Sequence, residues 1–356
     1  MAPVGLLSSS GLLPPVLLLM PVLFVALVAG LGYALIAPHP PRATGATFTA
    51  GQVILGAAIG SRLDLGSISS LQTDWSAVLV SSSAIVALCV GAGYVLCLKN
   101  GISTATAVFA MLGGAPSLTA TARTLGADDR VVTAAQYLRV LIIVAAMPFV
   151  LNELLKNDPG SYGAGIILWV DEMPTPTETL LGTILHAAPG LLLVALAFLI
   201  GVPLARRVPL PAGALIFPLI VTGLLTGTGL LDASVPNTLA SVGSALIGLQ
   251  VGLRCTRENL RTLGSLLPLA TLTIAGLIAL SAGLGFVLAR VTGHTLTDGY
   301  LATSPGGLYP VLAAAVSNDS DVTFVLSVQI ARHTLILLSV PLLTQLISRR
   351  ASQPAG

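Results

Sequence analysis

The chain has 356 residues, 54% of them apolar and only 8% charged, with a formal net charge of +2. Soluble domains carry about 25% charged residues, so this composition excludes a water-covered globular enzyme, and the near-neutral balance excludes a basic nucleic-acid-binding face. A mean hydropathy of +0.94 suits a protein whose outer face meets lipid.

In chain order, the apolar stretches at Pro15–Ala37, Thr47–Ser61, Ala77–Leu98, Val131–Leu151 and Ile184–Ala205 read as spanning helices. Ala212–Leu230, Thr238–Leu253, Leu266–Ala289 and Val322–Ile347 continue the series. The first 20 residues contain no Lys or Arg, so the positive region of a cleavable signal peptide is not evident. Two further stretches, Ile102–Leu125 and Tyr300–Val316, are apolar but interrupted by Gly and Pro. Such interruptions predict a broken or re-entrant helix, because the freed backbone groups need partners other than lipid. The longest polar connection, Asn152–Glu178, is acidic and divides the chain.

The halves repeat. At a spacing of 193 residues, Gly113-Gly114 returns as Gly306-Gly307, Asp128 as Asp321, Gln136 as Gln329, Arg139 as Arg332 and Pro148 as Pro341. At a spacing of 192, the stretch Gly56–Arg62 returns as Gly248–Arg254. Coincidence is a poor explanation in a chain so short of charge. The expected organisation is a first repeat over 1–153, an extracytoplasmic loop over 154–183 and a second repeat over 184–348. Ile184–Ala205 has no counterpart ahead of residue 1, so the first copy is expected to lack its opening helix.

Charge sets the orientation. If the Gly-Gly segments re-enter, Arg42, Lys99, Arg206-Arg207, Arg254, Arg257, Arg261 and Arg349-Arg350 fall on one side, and Asp64, Asp74, Asp232, Asp298 and the acidic loop on the other. That split obeys the positive-inside rule. Each complete copy then crosses five times, an odd number, so the two copies face opposite ways. The expected fold is an all-α polytopic membrane protein of two inverted repeats, each with a Gly-Gly broken helix, an architecture common among secondary transporters.

Candidate site residues follow from this layout. Arg139 and Arg332 each lie about 16 Å into their spans at ~1.5 Å per residue, where a guanidinium needs a cavity or a partner. Gln136 and Gln329 share the same helix faces three residues earlier. The expectation is a substrate site made of Gly113, Gly114, Gln136, Arg139, Gly306, Gly307, Gln329 and Arg332. Against it stands a buried ion pair, or an Arg that merely satisfies carbonyls of the broken segment. Asp128 and Asp321 precede the final spans as helix caps, or as cation sites near the re-entrant tip. His333 is expected to be packed, and Gly56, Gly60, Gly248 and Gly252 to serve helix packing. The four His and three Cys show no metal spacing. No metal, cofactor or enzymatic constellation is expected.

On these residues, Pro305-Gly306-Gly307-Leu308, the Gly126-Ala127-Asp128 turn and the Gln136…Arg139…Pro148 string, the chain resembles the duplicated AbrB-type family of bacterial integral membrane proteins. The resemblance runs through both copies. Members of that family carry the labels ammonia monooxygenase and regulator. The resemblance implies a multi-pass protein of the bacterial inner membrane, and it offers a regulator of gene expression, then a membrane monooxygenase, as alternatives to a permease. The chain departs from the family pattern at Leu112-Gly-Gly-Ala-Pro116. It also has Ser117 and Pro310 where relatives often carry an acidic residue, which puts ion coupling through that carboxylate in doubt. Expected partners are the lipid bilayer and a small, anionic solute, with no nucleic acid. Self-association is left open.

Overall fold

The described part of every apolar segment read from the sequence carries a helix in the computed structural model, which describes residues 22–37, 45–63, 67–97, 102–112, 122, 126–156, 180–208, 212–231, 233–318 and 320–351. Among these residues there are only helices, turns and short connections. Gly113, Gly114, Pro116, Ser117 and nearly all of the acidic loop lie outside them.

The elements are α1 (Val22–Ile36), α2 (Gly45–Gly60), α3 (Ser67–Cys97), α4 (Thr104–Leu112), α5 (Asp129–Lys156) and α6 (Leu180–Leu196). A π-helical turn, Ala197–Gly201, joins α6 to α7 (Val202–Arg207). Then come α8 (Gly213–Gly227), α9 (Asn237–Arg254), α10 (Arg257–Leu263) and α11 (Leu267–Thr292). The chain closes with α12 (Leu296–Thr303), α13 (Leu308–Ser317) and α14 (Val322–Ala351). Five helical stretches are long and apolar enough to cross a bilayer: Asp74–Cys97, Asp129–Leu151, Ala188–Arg207, Arg257–Thr292 and Val322–Gln345. Leu199, Leu272, Val291 and Leu338 stand out from their surfaces. In water such large exposed side chains would form an aggregating patch, whereas against lipid they cost nothing.

One bundle contains α1, α2, α6–α7, α8 and α9. It is packed through glycines. A Cβ on Gly56 would lie 2.4 Å from the Leu215 carbonyl oxygen, and one on Gly60 2.4 Å from that of Leu219. A Cβ on Gly248 would lie 2.1 Å from the Leu23 oxygen, and one on Gly252 2.3 Å from that of Leu27. Thus α2 runs parallel to α8, and α9 parallel to α1. The small-xxx-small spacing therefore brings backbones together, as the sequence predicts. Between α2 and α9 the direction reverses: Gly51 faces Leu246 and Ile247, Gly243 faces Ile54 and Leu55, and Ser61 Oγ accepts from Val235 N at 3.3 Å.

The second bundle contains α3, α4, α5, α10, α11, α12 and α14. Helix α13 lies between the bundles, touching α12 and α14 on one side and α1, α2 and α9 on the other. Local chemistry sets the helix ends. Gly293, with φ 76°, closes α11, and Thr295 opens α12 with a reciprocal cap: its Oγ1 accepts from Asp298 N at 3.1 Å while its own N–H donates to Asp298 Oδ2.

Candidate functional site

The second-half hairpin is built by two helix starts that lie side by side. Asp298 Oδ1, in the first turn of α12, accepts from Asp321 N, just ahead of α14, at 2.8 Å. From that level α12 and α14 run parallel inward. Gln329 Nε2 on α14 lies 3.0 Å from the Leu301 oxygen and 3.2 Å from those of Ala302 and Ser304. Three residues on, Arg332 Nη1 donates to the Ser304 oxygen at 2.7 Å. There α12 ends. Ser304-Pro305-Gly306 leads to Gly307, whose φ of 96° few other residues tolerate, and α13 carries the chain back to the level of Asp321. The Gly-Gly break thus falls where the sequence places it, and the segment returns to the side it came from.

The first half makes the same bonds with its own residues. Asp128 N donates to Thr106 Oγ1 at 3.0 Å, Gln136 Nε2 to the Phe109 oxygen at 3.1 Å, and Arg139 Nη1 to the Met111 oxygen at 2.5 Å. Helix α4 therefore runs parallel to α5 and ends deep, beside Arg139. The companion glycines, Gly113 and Gly114, lie outside the described residues.

Asp128 and Asp321 act as caps. Asp128 Oδ1 accepts from Arg130 N at 3.0 Å, and Asp321 Oδ1 from Phe324 N at 3.0 Å. These bonds satisfy N–H groups that an α-helix start leaves free. Asp321 Oδ2 is also 3.7 Å from His294 Nδ1, and the other ring nitrogen of His294 is 3.8 Å from Asp74 Oδ2. His333 bonds its own helix, Nδ1 lying 2.9 Å from the Gln329 oxygen.

Arg139 and Arg332 are only 5% and 4% exposed, and both line a cavity of about 440 Å³ that the Leu112 end of α4 and the Pro305–Pro310 turn also line. Its lining includes Gln136, His333 and the Pro305–Pro310 turn, with Leu112, Val140 and Ile336 supplying apolar wall. No acidic residue lines it among the described residues, and neither arginine forms an ion pair there. Arg139 Nε is buried with no hydrogen-bond partner. Each guanidinium holds one carbonyl of its own half-helix end and has further N–H donors beyond that bond.

The structure adds three residues that the sequence did not single out. Cys89 of α3 lines the cavity beside the arginines. Gln250 and Arg254 of α9 lie one turn apart on its cavity face. The Arg254 guanidinium sits over the Phe48 ring at 4.9 Å and the Tyr137 ring at 5.6 Å. The repeat was the available signal for Arg254, because it is the counterpart of Arg62 at the spacing of 192. Arg62 has a different fate: it bonds the Val316 oxygen at 3.1 Å and Asn237 Oδ1, tying α2 to the end of α13 and the start of α9.

Long apolar helices, lipid-facing leucines and a broken helix buried at the centre define a helical membrane protein with a central, positively charged cavity. The chain belongs to the AbrB family: the family model described as "Transition state regulatory protein AbrB" matches residues 22–348. It is 30% identical over 348 residues to an Escherichia coli (strain K12) protein named "Putative regulator AbrB", covering 95% of this chain and 92% of that one. It is 24% identical over 300 residues to the Bacillus subtilis (strain 168) protein named "Uncharacterized protein YhjN", covering 82% of this chain and 76% of that one. No solved structure matches the chain significantly.

Proposed function

We propose that this protein is a secondary permease of the bacterial inner membrane for a small anionic solute, built from two inverted copies of one unit, and not an enzyme. One observation carries the anion reading: the cationic side chains of Arg139 and Arg332, almost fully buried, face one cavity with no carboxylate among the described residues to balance them. Burying a single unpaired charge costs several kcal/mol. Two such groups at one place make sense if a transported anion supplies the missing charge, and the guanidinium fork suits carboxylate or phosphate oxygens.

The inverted-repeat reading is supported by the exchange of contacts between halves. Gly56 meets Leu215 as Gly248 meets Leu23, and the pairs are related by the same spacing of 192. The equivalent helices α2 and α9 meet antiparallel at Gly51 and Gly243, as expected for copies related by a two-fold axis in the membrane plane. Arg206, Arg207, Arg254, Arg257 and Arg261 then lie at the cytoplasmic end and Asp74 and Asp298 at the other, in accord with the positive-inside rule. Transport would proceed by movement of the bundle of α3–α5, α10–α12 and α14 against the glycine-packed bundle. The glycine bundle has backbones in contact and little freedom. The interface beside it, around α13, holds the cavity.

A second reading, a membrane regulator of gene expression, has the name of the Escherichia coli relative in its favour. It requires a cytosolic partner. A membrane monooxygenase would require a metal site. Among the described residues no three His, Cys, Asp or Glu side chains gather to form one.

Uptake into proteoliposomes tests the proposal. A panel of radiolabelled phosphate, nitrate, acetate and succinate is offered to the native protein and to Arg139→Ala and Arg332→Ala variants that still insert. The expected result is uptake of at least one anion that both variants lose. Equal uptake by native and variant proteins removes the anion reading, and copurification of a soluble regulator without uptake favours the alternative.

A further inference from the structure

Resting on the permease reading, we propose that the solute is an organic dianion held between two cationic poles, not an inorganic ion or a monoanion. The inner pole is Arg139 and Arg332 together with the start of α13. That helix is ten residues long, its N-cap Gly307 offers no side-chain bond, and Leu308 and Tyr309 of its first turn line the cavity. The outer pole is Arg254. It also lacks an acidic partner among the described residues, and the Phe48 and Tyr137 rings hold its guanidinium in place. Gln250, 5% exposed and without a hydrogen-bond partner among the described residues, stands one turn before it on the same cavity wall.

Size and lining point the same way. A cavity of about 440 Å³ is far larger than a phosphate or nitrate ion needs. Beside the charged groups the lining includes apolar Val140, Val251, Leu308 and Ile336. Carbon chain fits there and water does not gain. A monoanion can place its charge at only one pole, whereas a short dicarboxylate puts one carboxylate at each and lays its methylenes on the wall. The α9 pole belongs to the glycine-packed bundle and the arginine pole to the other, so one solute would bridge the two parts that move.

Binding of succinate, butyrate, succinamide and inorganic phosphate to the purified full-length protein in detergent, followed by calorimetry and thermal shift, tests this. Succinate is expected to bind at least tenfold tighter than butyrate or phosphate, with no binding of succinamide. In Arg254→Gln the succinate-to-butyrate ratio should fall to within about twofold, and Arg254→Lys should restore much of it. Elution of both variants at the native size guards against misfolding. Equal binding of succinate and butyrate by the native protein overturns the dianion assignment while leaving an anion permease standing. An unchanged ratio in Arg254→Gln overturns the outer pole. If none of the three anions binds, the permease reading falls together with this one.

Discussion

Arg332 donates to the Ser304 carbonyl oxygen at 2.7 Å, and Arg139, 193 residues earlier, donates to that of Met111 at 2.5 Å. In both cases the accepting carbonyl is at the end of a half-helix, where the α-helical ladder has run out of donors. Each arginine thus closes a half-helix with one N–H, and among the described residues no carboxylate balances the charge it brings to the cavity.

This geometry separates stability from function. In Arg332→Gln the Ser304 oxygen keeps Gln329 Nε2, 3.2 Å away, so the broken helix retains a partner. The buried charge disappears. The variant is expected to be more stable than the native protein without ligand, by on the order of 1–3 kcal/mol, and to lose anion binding. Thermal unfolding in anion-free detergent buffer measures the first effect, and calorimetry the second. A fall in the unfolding midpoint would mean that the guanidinium is structurally compensated after all.

The glycines sort into two kinds. A Cβ on Gly248 would lie 2.1 Å from the Leu23 backbone oxygen, whereas one on Gly276, on the outer face of α11, meets nothing within 4 Å. Gly248→Ala must push α9 away from α1 and is expected to cost at least roughly 1–3 kcal/mol, as overpacking does. Gly276→Ala should stabilise its helix by about 0.5–1 kcal/mol. Thermal midpoints of the two variants, measured side by side, should move in opposite directions.

How far the sequence could be read depended on the kind of signal. The pairs Gln136/Arg139 and Gln329/Arg332 were legible because polar residues within apolar spans are scarce and recur in register. The break at Gly306-Gly307 was legible because glycine pairs disfavour continuous helix. The outer pole was not. Arg254 reads as one of several cytoplasmic charges at a helix end, and its cage comes from Phe48 on α2 and Tyr137 on α5, distant in sequence. Cys89 was missed for a related reason. Around Cys89 helix α3 is apolar on every side, so no amphipathic stripe marks which face meets the cavity. Arg62 and Arg254 hold equivalent places in the repeat, yet Arg62 is bonded to the end of α13 and the start of α9 whereas Arg254 sits over two aromatic rings.

The caps at Asp128 and Asp321 have a competing assignment as cation sites, and one pair of variants decides between them. Each carboxylate accepts a backbone N–H at a helix start, so Asp321→Ala should cost about 0.5–2 kcal/mol. Asp321→Asn, which still offers a carbonyl oxygen to Phe324 N, should cost much less. Neither change should alter the dependence of uptake on sodium or pH if the role is capping alone. A loss of cation dependence in Asp321→Asn with unchanged stability would assign the carboxylate to coupling instead.

Cys89 gives a direct probe of the cavity's charge. Replacing Cys97 and Cys255 by Ser leaves Cys89 as the sole thiol, since the chain has three cysteines. It lines the same cavity as Arg139, Arg332 and His333. A site with uncompensated guanidinium groups concentrates anions and repels cations. An anionic methanethiosulfonate is therefore expected to modify Cys89 roughly tenfold or more faster than a cationic one of similar size, and bound succinate should slow the reaction. In Arg139→Gln/Arg332→Gln the preference for the anionic reagent should shrink or vanish. Faster reaction with the cationic reagent in the native background would place a negative charge in the cavity, and the anion assignment would then have to be abandoned.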